Sequence, residues 1–177
     1  MSWPRFVFLI GYRGAGKSTV ARLLAERLGW DWVDTDEAIE ASRGKTIREI
    51  FAIEGEHGFR TAESALLAEV CKSEHRVVAT GGGLVLAEAN RRLMGMAGRV
   101  VWLHADAATL WKRLQSDPTT VERRPPLAGG GLTEVKQILQ AREPLYRECA
   151  HYLVSTADRT PMEAVDEVLA HLQKAST

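Results

Sequence analysis

The sequence predicts an α/β fold, a parallel sheet flanked by helices with a mobile lid. Apolar runs of strand length alternate with helix-period segments along the 177 residues, an order that implies parallel strands joined by crossovers. The first run, Arg5 to Ile10, leads directly into Gly11-Tyr12-Arg13-Gly14-Ala15-Gly16-Lys17-Ser18-Thr19, a full match to the pattern G-x-x-x-x-G-K-[ST]. The stretch from Asp117 to Gly131 lacks an apolar period and is longer than most connections in compact domains, as lids over active sites are.

The glycine loop marks a nucleoside triphosphate site. Gly11, Gly14 and Gly16 let the backbone turn its N–H groups inward around phosphate oxygens, with Ala15 and Thr19 in the same cradle. The N-terminus of a helix running from Ser18 to Leu28 adds partial positive charge. Lys17 is expected to reach the β- and γ-phosphates and the Ser18 hydroxyl to sit on Mg²⁺. A glycine turn that binds nothing would have no use for Lys-Ser at this offset.

After the first helix, Gly29 supplies a cap, and Trp30 to Val33 reads as a short second strand ending at Asp34-Thr35-Asp36. If the pleat continues, these two carboxylates face opposite sides, one toward the glycine loop and one toward a neighbouring pocket. The competing role is to cap a helix starting near Glu37. Thr46 to Ala52 opens with a capping-box pattern and reads as a short helix ended by Gly55, with a longer helix from about Gly58 to Lys72. On that helix Arg60 and Glu63 stand at i,i+3, by themselves a surface ion pair of little worth. His75 to Thr80 is a third strand that runs into Gly81-Gly82-Gly83, where the lack of side chains at a strand's carboxyl end makes the backbone a binding surface.

Leu84 to Met94 reads as a helix, Gly98 to Leu103 as the fourth strand and Ala107 to Leu114 as another helix. In the lid, Arg123 and Arg124 offer positive charge to a transferring group as water is excluded. Arg124 precedes Pro125, which holds it extended, and it is therefore assigned to catalysis. Leu132 to Cys149 reads as a helix bearing Arg142 and Tyr146 on one face, with Pro144 expected to bend it. His151 to Ser155 supplies a fifth strand, the loop Thr156 to Thr160 can border a nucleotide base, and Pro161 to Gln173 forms a closing helix.

Composition narrows the partners. Lys plus Arg and Asp plus Glu each number 23, so no net field draws nucleic acid or an anionic membrane. Charge neutrality without a coiled-coil pattern favours a monomer. Cys71 and Cys149 lie in apolar segments without metal spacing and read as reduced core thiols, as expected of a cytoplasmic protein. The five histidines show no ligand spacing, and neither a signal peptide nor a membrane span is expected. One domain over residues 1–177 is expected, of a size that buries about 70% of its unfolded surface.

With these residues placed, the chain resembles the shikimate kinase family, among the nucleoside-monophosphate-kinase-like P-loop proteins, over nearly its full length. The resemblance rests on Asp34-Thr35-Asp36, Phe59-Arg60, Gly81-Gly82-Gly83, Arg124-Pro125 and Arg142-Glu143-Pro144-Leu145-Tyr146, in that order. It implies a three-layer P-loop kinase fold with strand order 2-3-1-4-5, substrate-binding helices over about residues 35–72, and ATP as phosphoryl donor to the 3-hydroxyl of shikimate. It places shikimate on Asp36, Arg60, Gly81, Gly82, Gly83 and Arg142, links Asp34 to Mg²⁺ with Ser18, makes Lys17, Asp36 and Arg124 catalytic, and sets Arg113 on adenine. Arg124-Pro125-Pro126-Leu127 stands where the family usually has Arg-Pro-Leu-Leu. A gluconate-kinase-like enzyme and a nucleotide-regulated module without transfer activity are the alternatives. The Phe-Arg and triple-glycine elements favour shikimate, and intact Lys17, Ser18, Asp34, Asp36 and Arg124 favour catalysis.

Overall fold

The computed structural model describes residues 3–117 and 131–174, so Arg123, Arg124 and most of the expected lid lie outside the described residues. The elements follow the order β1 (Phe6–Ile10), α1 (Lys17–Leu28), β2 (Asp31–Asp34), α2 (Thr35–Arg43), α3 (Ile47–Val70), β3 (Arg76–Ala79), a 3-10 turn (Leu84–Leu86), α4 (Glu88–Ala97), β4 (Arg99–His104), α5 (Ala107–Ser116), α6 (Gly131–Cys149), β5 (Tyr152–Ser155) and α7 (Pro161–Lys174). All four strand pairings are parallel and the order is β2-β3-β1-β4-β5, as expected.

Strand position explains strand composition. β1 lies at the centre, covered on both faces, and all five of its residues are buried, which is why it reads as a continuous apolar run. β2 is an edge strand of sequence Asp-Trp-Val-Asp with no fully buried residue. Because every strand is parallel, β1, β2 and β3 deliver Gly11, Asp34 and Gly81 to the same end of the sheet, where open α/β sheets bind their ligands.

Two apolar clusters form. The larger joins both faces of the sheet to α1, α4, α5, α6 and α7, with Trp102 and Tyr146 among its largest members. The smaller, Ile39, Ile47, Ile50, Phe59 and Ala62, belongs to α2 and α3 alone. α3 carries the expected capping box of Thr46 and Glu49 and runs on to Val70, interrupted where Gly55 leaves helical geometry at φ 71°, so the two expected helices are halves of one broken helix. Cys149 is buried and Cys71 only half-buried, and both are free thiols. Burial raises both thiols, Cys149 to about 11.

The helix expected over Leu84 to Met94 is instead a 3-10 turn, an extended Ala87, and α4. Side chains from the next helical turn explain the break. Asn90 donates to the Leu84 carbonyl at 3.1 Å and Arg91 to that of Val85 at 2.8 Å, taking acceptors that a continuous helix would use. α6 passes through Pro144 without interruption.

At the start of β4, a Cβ added to Gly98 would stand 2.7 Å from the Phe6 Cβ. We expect Gly98→Ala to cost about 1–3 kcal/mol through overpacking against β1; calorimetric unfolding checks it, and an unchanged Tm would show that the β1–β4 contact yields freely.

At the start of β5, His151 accepts a hydrogen bond from the Val100 N–H through Nδ1 at 3.0 Å. Burial, aided by the Arg99 charge, lowers its pKa below the ordinary 6.5. The unfolded chain therefore binds the proton more readily. The stability that the neutral ring contributes is complete above pH 6.5 and is lost as pH falls through the lowered folded value. His151→Ala is expected to show a smaller drop in Tm between about pH 7.5 and 5.5 than the parent chain, measured in parallel melts.

Candidate functional site

The glycine loop connects β1 to α1 with Gly16 at φ 91°, and α1 begins without a side-chain cap, so its first amides face the concavity of the loop. Lys17 donates through Nζ to the carbonyls of Gly11 (2.9 Å) and Tyr12 (2.8 Å), which places its ammonium across the mouth of the loop. Beside it the Ser18 hydroxyl donates to Asp34 Oδ2 at 2.5 Å.

Asp34 does both things expected of it as alternatives. Oδ2 meets Ser18, while Oδ1 accepts the amides of Asp36 (2.9 Å) and Glu37 (3.3 Å) as the N-cap of α2. The continued pleat did not occur: Thr35 already begins the helix, and Asp34 and Asp36 diverge because one ends a strand and the other lies in a first turn. Thr35, fully buried and absent from the sequence candidates, accepts the Gly81 amide at 2.8 Å.

Three consecutive glycines organise the region beside the glycine loop. A Cβ on Gly81 would lie 2.6 Å from both Asp36 Oδ1 and Glu63 Oε1. One on Gly82 would lie 3.3 Å from the Gly11 carbonyl oxygen, 3.5 Å from the Arg13 amide nitrogen and 3.7 Å from Arg142 Nη1. One on Gly83 would lie 2.6 Å from the Arg60 guanidinium carbon. Asp36, Arg60 and Arg142, expected from the sequence to share a ligand, are thus gathered around one backbone that also touches the phosphate loop. Tyr146, buried on α6, donates to the Gly82 carbonyl at 2.6 Å.

Arg60 and Glu63 are not the surface pair that spacing implied. Glu63 is fully buried and bonds Arg60 at 2.5 Å, with Glu56 adding a second contact at 3.1 Å. Burial by itself would lower the Arg60 pKa, but the charge and hydrogen bond of Glu63, with those of Glu56, outweigh it and leave the guanidinium raised. Glu63 therefore fixes the direction of Arg60, and its i,i+3 spacing was the only sequence signal for it.

A cavity of about 470 Å³ is lined by the glycine loop, Lys17, Ser18, Thr19, Asp34, Asp36, Arg13 and Arg113. Its walls do not include Arg60, Gly81–Gly83 or Arg142; Gly81 adjoins it through Asp36, and Gly82 through Arg13. Arg113 donates to the Gly14 carbonyl at 3.3 Å and to Thr156 Oγ1 at 3.1 Å, and a second hollow of about 240 Å³ lies on its far side, between Gly14, Thr19, Thr156, Arg159 and Pro161. The two hollows share Gly14, Gly16, Thr19 and Arg113. No group of three or more metal-type ligands is found among the described residues.

This fold and site define a P-loop phosphotransferase: a phosphate-cradling loop with a charged, glycine-walled region beside it at the same end of the sheet. A family model described as shikimate kinase matches residues 13–173, and a shikimate kinase of Rhodopirellula baltica is 45% identical over 174 residues, covering 98% of this chain and 91% of its own. The structure of a shikimate kinase from Acinetobacter baumannii in complex with shikimate superposes with a TM-score of 0.90 at 36% identity, over 97% of this chain and 94% of that one. The chain belongs to the shikimate kinase family; it is an ATP-dependent enzyme that phosphorylates shikimate. A gluconokinase from Sinorhizobium meliloti, at 18% identity and TM-score 0.64 over 99% of this chain and 95% of that one, shares the fold alone.

Gly83→Ala is expected to displace the Arg60 guanidinium, since its methyl would occupy that space while the backbone at φ −102° accepts alanine. The Kd for shikimate should rise about tenfold or more, the scale of a lost charged hydrogen bond, and Tm should fall as the buried Glu63 carboxylate loses its partner. Titration calorimetry beside a melting curve checks both.

Proposed function

We propose that the enzyme transfers the γ-phosphoryl group of ATP to the 3-hydroxyl of shikimate, with Asp36 holding that hydroxyl and Arg60 and Arg142 holding the carboxylate. The observation that carries this reading is the convergence of two guanidinium groups and two carboxylates, Asp36 and the Arg60-bound Glu63, on Gly81–Gly83, beside the phosphate loop. Planar guanidinium forks suit a carboxylate, and an anionic acceptor suits a hydroxyl. The Glu63 pair keeps Arg60 directed while it is without its ligand.

Lys17 and the loop amides neutralise the phosphates, and Arg124 supplies further charge from the segment 117–131, which we read as a lid. Asp36 orients the attacking oxygen and takes its proton. Positioning does most of the work, because phosphoryl transfer demands little covalent chemistry from the protein. Ser18 Oγ and Asp34 Oδ2 offer hard oxygens side by side, a donor set that suits Mg²⁺ shared with substrate phosphates. When bound, that ion would offset charge on the β- and γ-phosphates. The position of Arg113 between the two hollows supports its role toward adenine.

The reading includes a monomer of one domain, acting in the cytoplasm on a small molecule without nucleic acid or membrane. The balanced charge supports it; among the described residues no helix is long and apolar enough to cross a membrane.

ADP release measured with shikimate, with gluconate and with no acceptor tests the assignment. Turnover with shikimate alone is expected, and turnover with gluconate alone would overturn it. Lys17→Ala is expected to lower kcat by about 10² or more, the scale of a lost charge-stabilising donor. Retained turnover would remove Lys17 from the mechanism, while a large fall in Tm would make its bonds to the loop carbonyls the main role.

A further inference from the structure

We infer that Arg13 and Glu134 form a positioning pair that keeps the phosphate loop in register with the acceptor side of the site. Arg13 occupies one of the unspecified positions of the glycine-loop pattern, and Glu134 lies in the first turn of α6. Neither type of residue is demanded there by phosphate binding. Yet the Arg13 guanidinium donates to Glu134 Oε1 at 3.3 Å across a separation of 121 residues. The Glu134 side chain is 1% exposed and that of Arg13 is 22% exposed. A carboxylate buried to that degree is costly unless paired, so a pair retained at this depth calls for a reason beyond stability.

The reason lies in what else the helix carries. Glu134, Arg142 and Tyr146 are spaced by eight and then four residues, so they share one face of α6. Tyr146 holds the Gly82 carbonyl and Arg142 stands beside Gly82, which attaches the middle and end of that face to the acceptor region. Glu134 attaches its beginning to the phosphate loop. The Arg13 amide nitrogen itself lies against Gly82, and the Arg13 guanidinium lies 5.8 Å from the ring centre of Tyr12, a loop residue only 2% exposed. Arg13 is therefore where the loop, the glycine triplet and α6 meet. A rigid helix pinned to both half-sites sets the distance between the transferring phosphorus and the accepting oxygen.

The inference rests on the proposed division into phosphate and acceptor ends, and it makes a specific kinetic demand. Alignment of two half-sites enters the transfer step, whereas each half-site can bind its own ligand without it. Misplacement of about 1 Å by a residue outside the chemistry can cost ~10²-fold in rate. In the full chain, Glu134→Gln and Arg13→Gln are each expected to lower kcat about tenfold or more. The Kd values for ADP and for shikimate, measured separately by calorimetry, should stay within about threefold. The double Gln variant should be little worse than the worse single variant, as expected of residues acting as a unit. Glu134→Asp, which keeps the charge but shortens the reach, should fall between parent and Glu134→Gln.

Parent-like kcat in both single variants, whatever the fall in Tm, would make the pair merely structural and overturn the inference. So would a rise in the ADP Kd of Arg13→Gln matching its loss in kcat, which would make Arg13 a phosphate ligand. Failure of the assigned reaction would show in the unmodified enzyme itself, and failure of the pair's role only in the variants.

Discussion

The close approach of charged groups to the backbone of Gly81–Gly83 is the constraint on which the rest of the site depends. Any side chain at Gly81 or Gly83 would occupy space now held by Asp36 and Glu63 or by the Arg60 guanidinium. The buried peptide groups of the triplet cannot be left without partners. Thr35 takes the Gly81 amide and Tyr146 gives its hydroxyl to the Gly82 carbonyl, so α2 and α6 are drawn in to satisfy it. All three glycines of the triplet are buried.

That enclosure brings two groups of charged residues together at one end of the parallel sheet. β1 presents the glycine loop and β3 presents the triplet, while β2, one strand further out, turns at Asp34 into α2. The same turn gives one oxygen of Asp34 to the cap and the other to Ser18, so a helix start and the candidate metal position share a residue. Arg60 is held by Glu63 and Glu56, which leaves a cation oriented at modest solvation. The separate apolar cluster of α2 and α3 lets these two helices pack on each other while they lean on the sheet.

Much of the candidate site was legible because the proposed chemistry demands fixed residue types at short range. The glycine-loop pattern located Lys17 and Ser18, and the period of the strands located the ends at which Asp34 and Gly81 emerge. Glu63 was visible as a partner for Arg60 but was valued as a surface residue, since i,i+3 spacing says nothing about burial. The helix misread after Gly83 failed for a related reason: Asn90 and Arg91 take the carbonyls of Leu84 and Val85, a competition that apolar periodicity does not register.

By itself the sequence determined the order of strands and helices, the phosphate loop and, through resemblance, the family to which the chain belongs. These are local patterns or ordered sets of them, readable along one dimension. Only the tertiary structure decided that Glu63 and Glu134 are buried, that Thr35 and Tyr146 close the bonds of the glycine triplet, and that Arg13 reaches across 121 residues to α6. Burial and pairing between distant segments depend on how the sheet stacks its helices, and the physical value of a charge is set by that surrounding rather than by its neighbours in the chain.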